Sequence, residues 1–164
     1  LQITNHRLKS RISDSLLPFY SRFPTVRVVA CDGFESLTAV SEMDFLKCGF
    51  TVTPNSNRMG FRLSGAPLYL LDAKEIVSSA VNFGTIQLLP DGNLIILMAD
   101  HQTSGGYPRL ANVIETDLPL VAQLGANDKI AFHLVSIAEA EEIAVEFERD
   151  LNFLKTAIRL KGEG

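Results

Sequence analysis

Between Thr25 and Val135 the apolar residues come in short runs cut off by Pro, Gly, Asn or Asp, and beyond Ser136 they step by three and four. The short runs read as strands. Thr25-Val26-Arg27-Val28-Val29-Ala30-Cys31 is rich in β-branched residues and ends at Asp32-Gly33. Gly49-Phe50-Thr51-Val52-Thr53 alternates as a half-buried strand until Pro54 stops it. Phe83 to Leu89 and Leu94 to Ala99 flank Pro90-Asp91-Gly92-Asn93 and predict a hairpin whose second arm is buried on both faces. Arg109 to Ile114 and Lys129 to Val135 are two more strands. Asn57 to Leu63 is open to two readings, a strand broken at Gly60 or a helical turn. Phe34 to Lys47 reads as helical or irregular. About seven or eight short strands, with turn signals roughly every eight to twelve residues, predict a mainly β sandwich or barrel.

Three helices are expected around these strands. Ser13 or Asp14 caps a short one that stops before Pro24, and Asp117 caps another over Leu118 to Leu124, with Pro119 in its first turn. Ser136-Ile137-Ala138-Glu139 has the spacing of a capping box. Ile137, Ala140, Ala144, Phe147, Leu151, Leu154 and Ile158 then form one apolar stripe. The stripe predicts an amphipathic helix of about two dozen residues, about 36 Å long, that covers one side of the β structure or docks a partner. The chain divides accordingly into a lead-in segment 1–24, a β domain 25–135, and a helix with its tail 136–164.

With 164 residues, 46% of them apolar and 21% charged, the chain has the make-up of a globular domain with a real core. Net charge is −4 from 15 basic and 19 acidic side chains, and no Lys/Arg run marks a nucleic-acid surface. No apolar segment approaches the roughly 18–20 residues of a membrane span. The first residues lack the succession of a signal peptide, so neither nucleic acid nor membrane is expected as a partner, and the expected location is cytoplasmic. Cys31 and Cys48 form no CxxC and have no histidine at ligand spacing, which predicts two reduced thiols and no metal. There is no P-loop, GxGxxG or GxSxG sequence.

The densest chemistry follows the 94–99 strand, in Asp100-His101-Gln102-Thr103-Ser104-Gly105-Gly106-Tyr107-Pro108. It reads either as a polar turn with a Gly-Gly corner or as a site carried on a rigid scaffold. Asp100 and His101 are adjacent and point to opposite faces in extended backbone, so they do not form a base with its orienting acid. Asp100 and Tyr107 are the candidates for proton handling, with a turn-capping role for Asp100 as the competing reading. Arg58 and Arg62 offer planar forks for a carboxylate or phosphate, unless they are solvated or held in structural ion pairs. Gln87, the one amide in an apolar strand, is either a structural amide or a ligand contact. His6 and His133 are expected to be surface or structural residues.

Three stretches carry a family resemblance: Asn57-Arg58-Met59-Gly60-Phe61-Arg62-Leu63, Gly84-Thr85-Ile86-Gln87 with Pro90-Asp91-Gly92, and Ala99 to Pro108. In this order they resemble the allophanate hydrolase subunit 2 family, and Asp117-Leu118-Pro119 with Ala122-Gln123-Leu124 extends the match over roughly residues 26–135. That family includes the KipI antagonist KipA, the C subunit of bacterial 5-oxoprolinase and the biotin-dependent carboxyltransferase domain of urea carboxylase. The resemblance implies a cyclophilin-like β-barrel. It also implies that Leu1 to Gly164 corresponds to the C-terminal half of the usual polypeptide, inactive without its N-terminal half. The site residues it implies are Asn57, Arg58, Met59 and Arg62, then Asp100, Gln102, Thr103, Gly105, Gly106 and Tyr107. Asn57, Ser79, His101 and Ser104 stand where the family more often has aspartate, an acid, arginine and threonine.

Three functions follow from the resemblance. The first is a component of an ATP-dependent 5-oxoprolinase acting with KipI-like and LamB/YcsF-like subunits, with ATP used by the complex and no cofactor held tightly by this chain. The second is carboxyl transfer from a separate biotin carrier, since the sequence has no biotinyl-lysine motif. The third is a non-enzymatic KipA-type regulator that binds a KipI-like inhibitor, for which the long helix supplies a docking face.

Overall fold

The computed structural model describes residues 19–72 and 78–162. The helix expected from Ser13 or Asp14 lies outside them, apart from Phe19 and Tyr20, which are not helical. The chain runs β1 (Thr25–Ala30), α1 (Ala39–Lys47), β2 (Phe50–Val52), β3 (Gly60–Ser64), β4 (Ser79–Ala80), β5 (Thr85–Leu88) and β6 (Leu94–Leu97). It continues through β7 (Ser104–Gly105), β8 (Arg109–Val113), a 3-10 turn (Glu115–Asp117), α2 (Leu118–Ala122), β9 (Lys129–Leu134) and α3 (Ile137–Gly162). Seven strands close into a barrel in the order β1-β8-β5-β6-β3-β2-β9, and β9 pairs back onto β1. That last pairing is parallel, and the others in the barrel are antiparallel. The mainly β barrel with a short helix and a long C-terminal one is therefore what the sequence predicts.

Alternation sorts each strand between the inside and outside of the barrel. Leu63, Ile86, Leu88, Leu94 and Ile96 point into one core with Val26, Val28, Leu110 and Ile130. One end of that core is filled by rings, Phe45 of α1 stacking on Phe132 at 4.8 Å and meeting Phe34 edge-on at 5.5 Å. Thr38 caps α1 by accepting the Ser41 N–H, and the buried Ser41 hydroxyl accepts the N–H of Tyr69. These bonds fix the ring of Phe45 over the barrel mouth.

Several expectations need correction. The strand after the hairpin turn is buried apart from the half-buried Ile95, but it ends at Leu97, short of Ala99. Residues 57–63 are not helical: β3 opens at Gly60, where a side chain would collide with Ile95 Cδ1 at 2.6 Å. β4 and β7 form a separate two-stranded flap that two-residue strands did not reveal. α2 ends at Ala122, short of Leu124.

Asp117 makes no side-chain cap for α2. Its buried carboxylate instead accepts the Arg27 main-chain N–H at 2.7 Å and the Arg27 guanidinium through Nε at 3.0 Å and through Nη2. The reason lies in the ladder. β8 pairs with β1 only from Val28↔Val113 onward, and the Arg27 N–H beyond that point needs an acceptor. A buried carboxylate needs a cation, and one arginine meets both needs.

α3 starts in the predicted capping box, with Glu139 Oε2 accepting the Ser136 N–H at 2.7 Å and hydroxyl at 2.8 Å. Among the described elements α3 meets the rest of the chain chiefly at the Glu115–Asp117 turn. Covering one side of the barrel is thus not its role.

Asp117→Ala strands the Arg27 donors and should cost about 2–4 kcal/mol in urea denaturation, whereas Thr116→Ala should cost under about 1 kcal/mol. The hydrogen bonds from Ser136 hold the Glu139 carboxyl below its ordinary 4.5. Its support of α3 is therefore complete above that ordinary value and lost as pH falls through the depressed one. Far-UV circular dichroism on acid titration should show helix fraying in that window, and Glu139→Gln should remove the step.

Candidate active site

The residues picked out by sequence meet on the outside of the barrel, where one row crosses four strands. Arg62 of β3 lies opposite Ile95 of β6, Ile95 opposite Gln87 of β5, and Gln87 opposite Arg109 of β8. A register shift between Ile86 and Gln87 belongs to this row. The next positions on the same face, Gly60, Leu97 and Leu89, join Arg62, Ile95 and Gln87 to floor a cleft of about 490 Å³. The β4/β7 flap roofs one side, contributing Val81, Ser104 and Gly105 beside Gln102, Gly106 and Tyr107.

Gln87 is buried beneath the flap, 4% exposed. A Cβ on Gly105 would stand 2.6 Å from Gln87 Nε2, so a side chain at 105 would make this amide shift. Gln87 Nε2 donates to the Tyr107 carbonyl at 3.4 Å, and its Oε1 accepts no hydrogen bond from the described residues. The Tyr107 ring is half exposed and stands between the cleft and a second depression of about 410 Å³ lined by Asp32, Pro108 and Arg109.

The two arginines of the first motif part company. Asn57 Oδ1 accepts the Met59 N–H at 2.8 Å, and Asn57 and Gly60 bond each other's backbone, so Arg58 and Met59 sit at the tip of a tight turn. The tip is sewn to the 98–100 corner by Met98 N–H donating to the Met59 carbonyl and Asp100 N–H donating to the Arg58 carbonyl. Arg58 then grips Asp100 with two contacts, Nε to Oδ2 at 2.9 Å and Nη2 to Oδ1 at 3.3 Å. Arg62 lines the cleft and has no ion pair among the described residues. Its charge reaches Asp91, whose carboxyl is held low first by hydrogen bonds from Asn93 and in smaller part by Arg62.

Of the residues expected at the site, Asn57, Met59, Arg62, Gln87, Gln102, Gly105, Gly106 and Tyr107 line the cleft. Arg58, Asp100 and Thr103 do not. Asp100 is exposed in its pair with Arg58, and the Thr103 carbonyl accepts the Val81 N–H at the root of the flap. His101 turns its Nδ1 onto the Gln102 carbonyl at 2.6 Å. The sequence reading passed over Asn55, Ser78, Val81, Leu89, Ile95 and Leu97 as lining residues, and Arg109 as a clamp. Arg109 holds the Ala80 carbonyl at 3.2 Å and both oxygens of Asp32 at 3.1 and 3.2 Å, tying the flap to the end of β1. Alternation along β5 and β6 is the signal that would have paired Leu89, Ile95 and Leu97 with Gln87.

Both cysteines are free, and burial pushes the Cys31 thiol up, as expected of an inert packing residue. Among the described residues no group of three His, Cys, Asp or Glu side chains is placed to hold a metal ion, and no helix is long and apolar enough to cross a membrane.

Residues 2–134 match the family model of the carboxyltransferase domain, subdomain A and B. The chain is 38% identical to the C subunit of 5-oxoprolinase from Haemophilus influenzae over 144 residues, 87% of this chain and 46% of that protein. It is 33% identical to the C subunit of 5-oxoprolinase from Escherichia coli over 138 residues, 84% of this chain and 44% of that one. It thus spans just under half the length of these curated relatives. Urea amidolyase and urea carboxylase of Kluyveromyces lactis each superpose with a TM-score of 0.75 at 24% identity. They cover 82% of this chain, and the match takes up 9% and 13% of theirs, which shows a shared fold. By sequence along most of its length, and with a barrel to match, this chain belongs to the family of the carboxyltransferase domain, subdomain A and B.

Proposed function

We propose that the chain forms part of the substrate site of an ATP-dependent hydrolase that opens 5-oxoproline to glutamate, as a C-subunit component working with KipI-like and LamB/YcsF-like partners. The observation that carries this reading is Arg62, a cation without an ion-pair partner among the described residues, in the same cross-strand row as the buried amide of Gln87. 5-Oxoproline presents one carboxylate and one lactam amide. The Arg62 fork matches the carboxylate, and the Gln87 carboxamide offers the lactam an acceptor for its N–H and a donor for its carbonyl. The curated relatives' name supports the same substrate.

Tyr107 carries the proton to or from the ring nitrogen, as a phenol on the cleft wall. Asp100 acts at one remove: through Arg58 it holds the corner from which residues 102–107 depart toward the cleft. ATP would supply activation of the lactam carbonyl in the assembled enzyme. The sequence has no glycine-rich phosphate loop, so the contribution of this chain is to bind and orient the lactam and move a proton.

The test is glutamate release from 5-oxoproline by the full-length polypeptide with its two companion subunits. Arg62→Ala should raise KM about 10- to 100-fold with little change in kcat, the signature of lost ground-state binding. Arg58→Ala should leave KM within a few-fold, and Tyr107→Phe should lower kcat about 100-fold. Equal effects on KM from Arg58 and Arg62 would refute the carboxylate assignment. No glutamate from folded, co-purifying subunits would refute the lactam reading itself.

Carboxyl transfer is the second reading, favoured by the family's description as a carboxyltransferase domain. It requires a biotinylated carrier and bicarbonate, and the hydrolase requires neither, so omitting each in turn separates the two.

A further inference from the structure

α3 lies beyond the family match, which ends at residue 134, and the cleft uses none of it. Along it Ile137, Ala140, Ala144, Phe147, Leu151, Leu154 and Ile158 keep an unbroken three-four alternation over three heptads. A strict seven-residue repeat is the seam of a left-handed two-helix coil; a helix laid on a globular core needs a broader stripe with a period of 3.6. Three of the seven seam residues are open to solvent here, Ile137 at 66%, Phe147 at 46% and Ile158 at 57% exposed, and Ala140, Ala144, Leu151 and Leu154 are half-buried.

Charge and size each single out the occupant. Between Ile137 and Asp150 stand Glu139, Glu141, Glu142, Glu146, Glu148 and Asp150 against the one cation Arg149; from Leu151 to Leu160 there are Lys155 and Arg159 and no acid. A parallel pair would set acid on acid over the first half of the helix. An antiparallel pair sets Glu139, Glu141 and Glu142 of each copy against the Lys155–Arg159 segment of the other, and confines acid-on-acid contact to Glu148 and Asp150 at the centre. Size runs the same way, with small Ala140 and Ala144 in the first half and Leu151, Leu154 and Ile158 in the second. In an antiparallel coil Ala140 faces Ile158, Ala144 faces Leu154 and Phe147 faces Leu151, which keeps the seam evenly filled. Glu141 then flanks Lys155 of the other copy.

We propose that α3 pairs with α3 of a second copy of this chain as an antiparallel two-stranded coil. The pairing leaves the cleft and its lining free, so it is independent of the chemistry proposed above.

Sedimentation equilibrium of the chain across the micromolar range reads the association directly. A monomer–dimer equilibrium is expected. Leu151→Asp on the seam and Lys155→Glu beside it should each weaken it at least 10-fold, and Val145→Asp, off the seam, should leave it unchanged. Helix content by circular dichroism confirms that each variant is folded. Orientation is read by pulsed electron paramagnetic resonance on Ala138→Cys, spin-labelled in a Cys31→Ser, Cys48→Ser background. Antiparallel pairing separates the two labels by about 33 Å, whereas a parallel coil brings them side by side. A monomer at every concentration, a dimer indifferent to both Leu151→Asp and Lys155→Glu, or adjacent labels would each overturn the proposal.

Discussion

Closure of the barrel rests on β1, the strand that must satisfy a different neighbour on each side. On one side it runs parallel to β9, from Thr25↔Ala131 to Val28↔Leu134, which removes the two edges that a seven-stranded sheet would otherwise expose. On the other it pairs with β8 until β8 runs out, and there the Asp117 carboxylate takes over as acceptor for the Arg27 N–H. One side chain thus finishes a main-chain ladder. It brings a buried charge with it, and Arg27 both uses the acceptor and neutralises the charge.

With the inside of the barrel filled by aliphatic side chains and stacked rings, chemistry is confined to the outside, where it can be varied without disturbing the core. The row Arg62, Ile95, Gln87, Arg109 shows how. Its two cations are alike in sequence and opposite in circumstance: Arg109 is consumed by Asp32 and the Ala80 carbonyl, while Arg62 is open to a ligand. Between them lie an aliphatic wall and a carboxamide. On the function proposed above, such a row would suit a small molecule that has an anionic end and an amide end.

Much of this was legible in the sequence, for identifiable reasons. Period-two alternation bounded by Gly and Pro located the barrel strands, and Ser136 with Glu139 located the start of α3, because those signals act between near neighbours. The Asp117 contact was illegible: the local pattern fitted a helix cap, and the partner that won lies 90 residues away. The fates of Arg58 and Arg62 were illegible for a subtler reason. They depend on the Asn57 side chain bonding the Met59 N–H, which turns the chain so that Arg58 leaves the strand before Gly60 begins it. The flap escaped notice because strands of two residues have no period to read.

The contact between Gly105 and Gln87 has a consequence for how this surface can change over evolutionary time. With 2.6 Å between Gln87 Nε2 and the position a Cβ would take, each residue defines the room available to the other. Single-site variation at either position has a cost, since a side chain at 105 makes the Gln87 amide give way and a smaller residue at 87 opens a void beneath the flap. Change at this spot therefore comes more readily as paired exchanges, a methyl gained above for an amide shortened below. A survey of single mutants would score both residues as sensitive, whereas a library randomising the two together would recover combinations that neither tolerates alone.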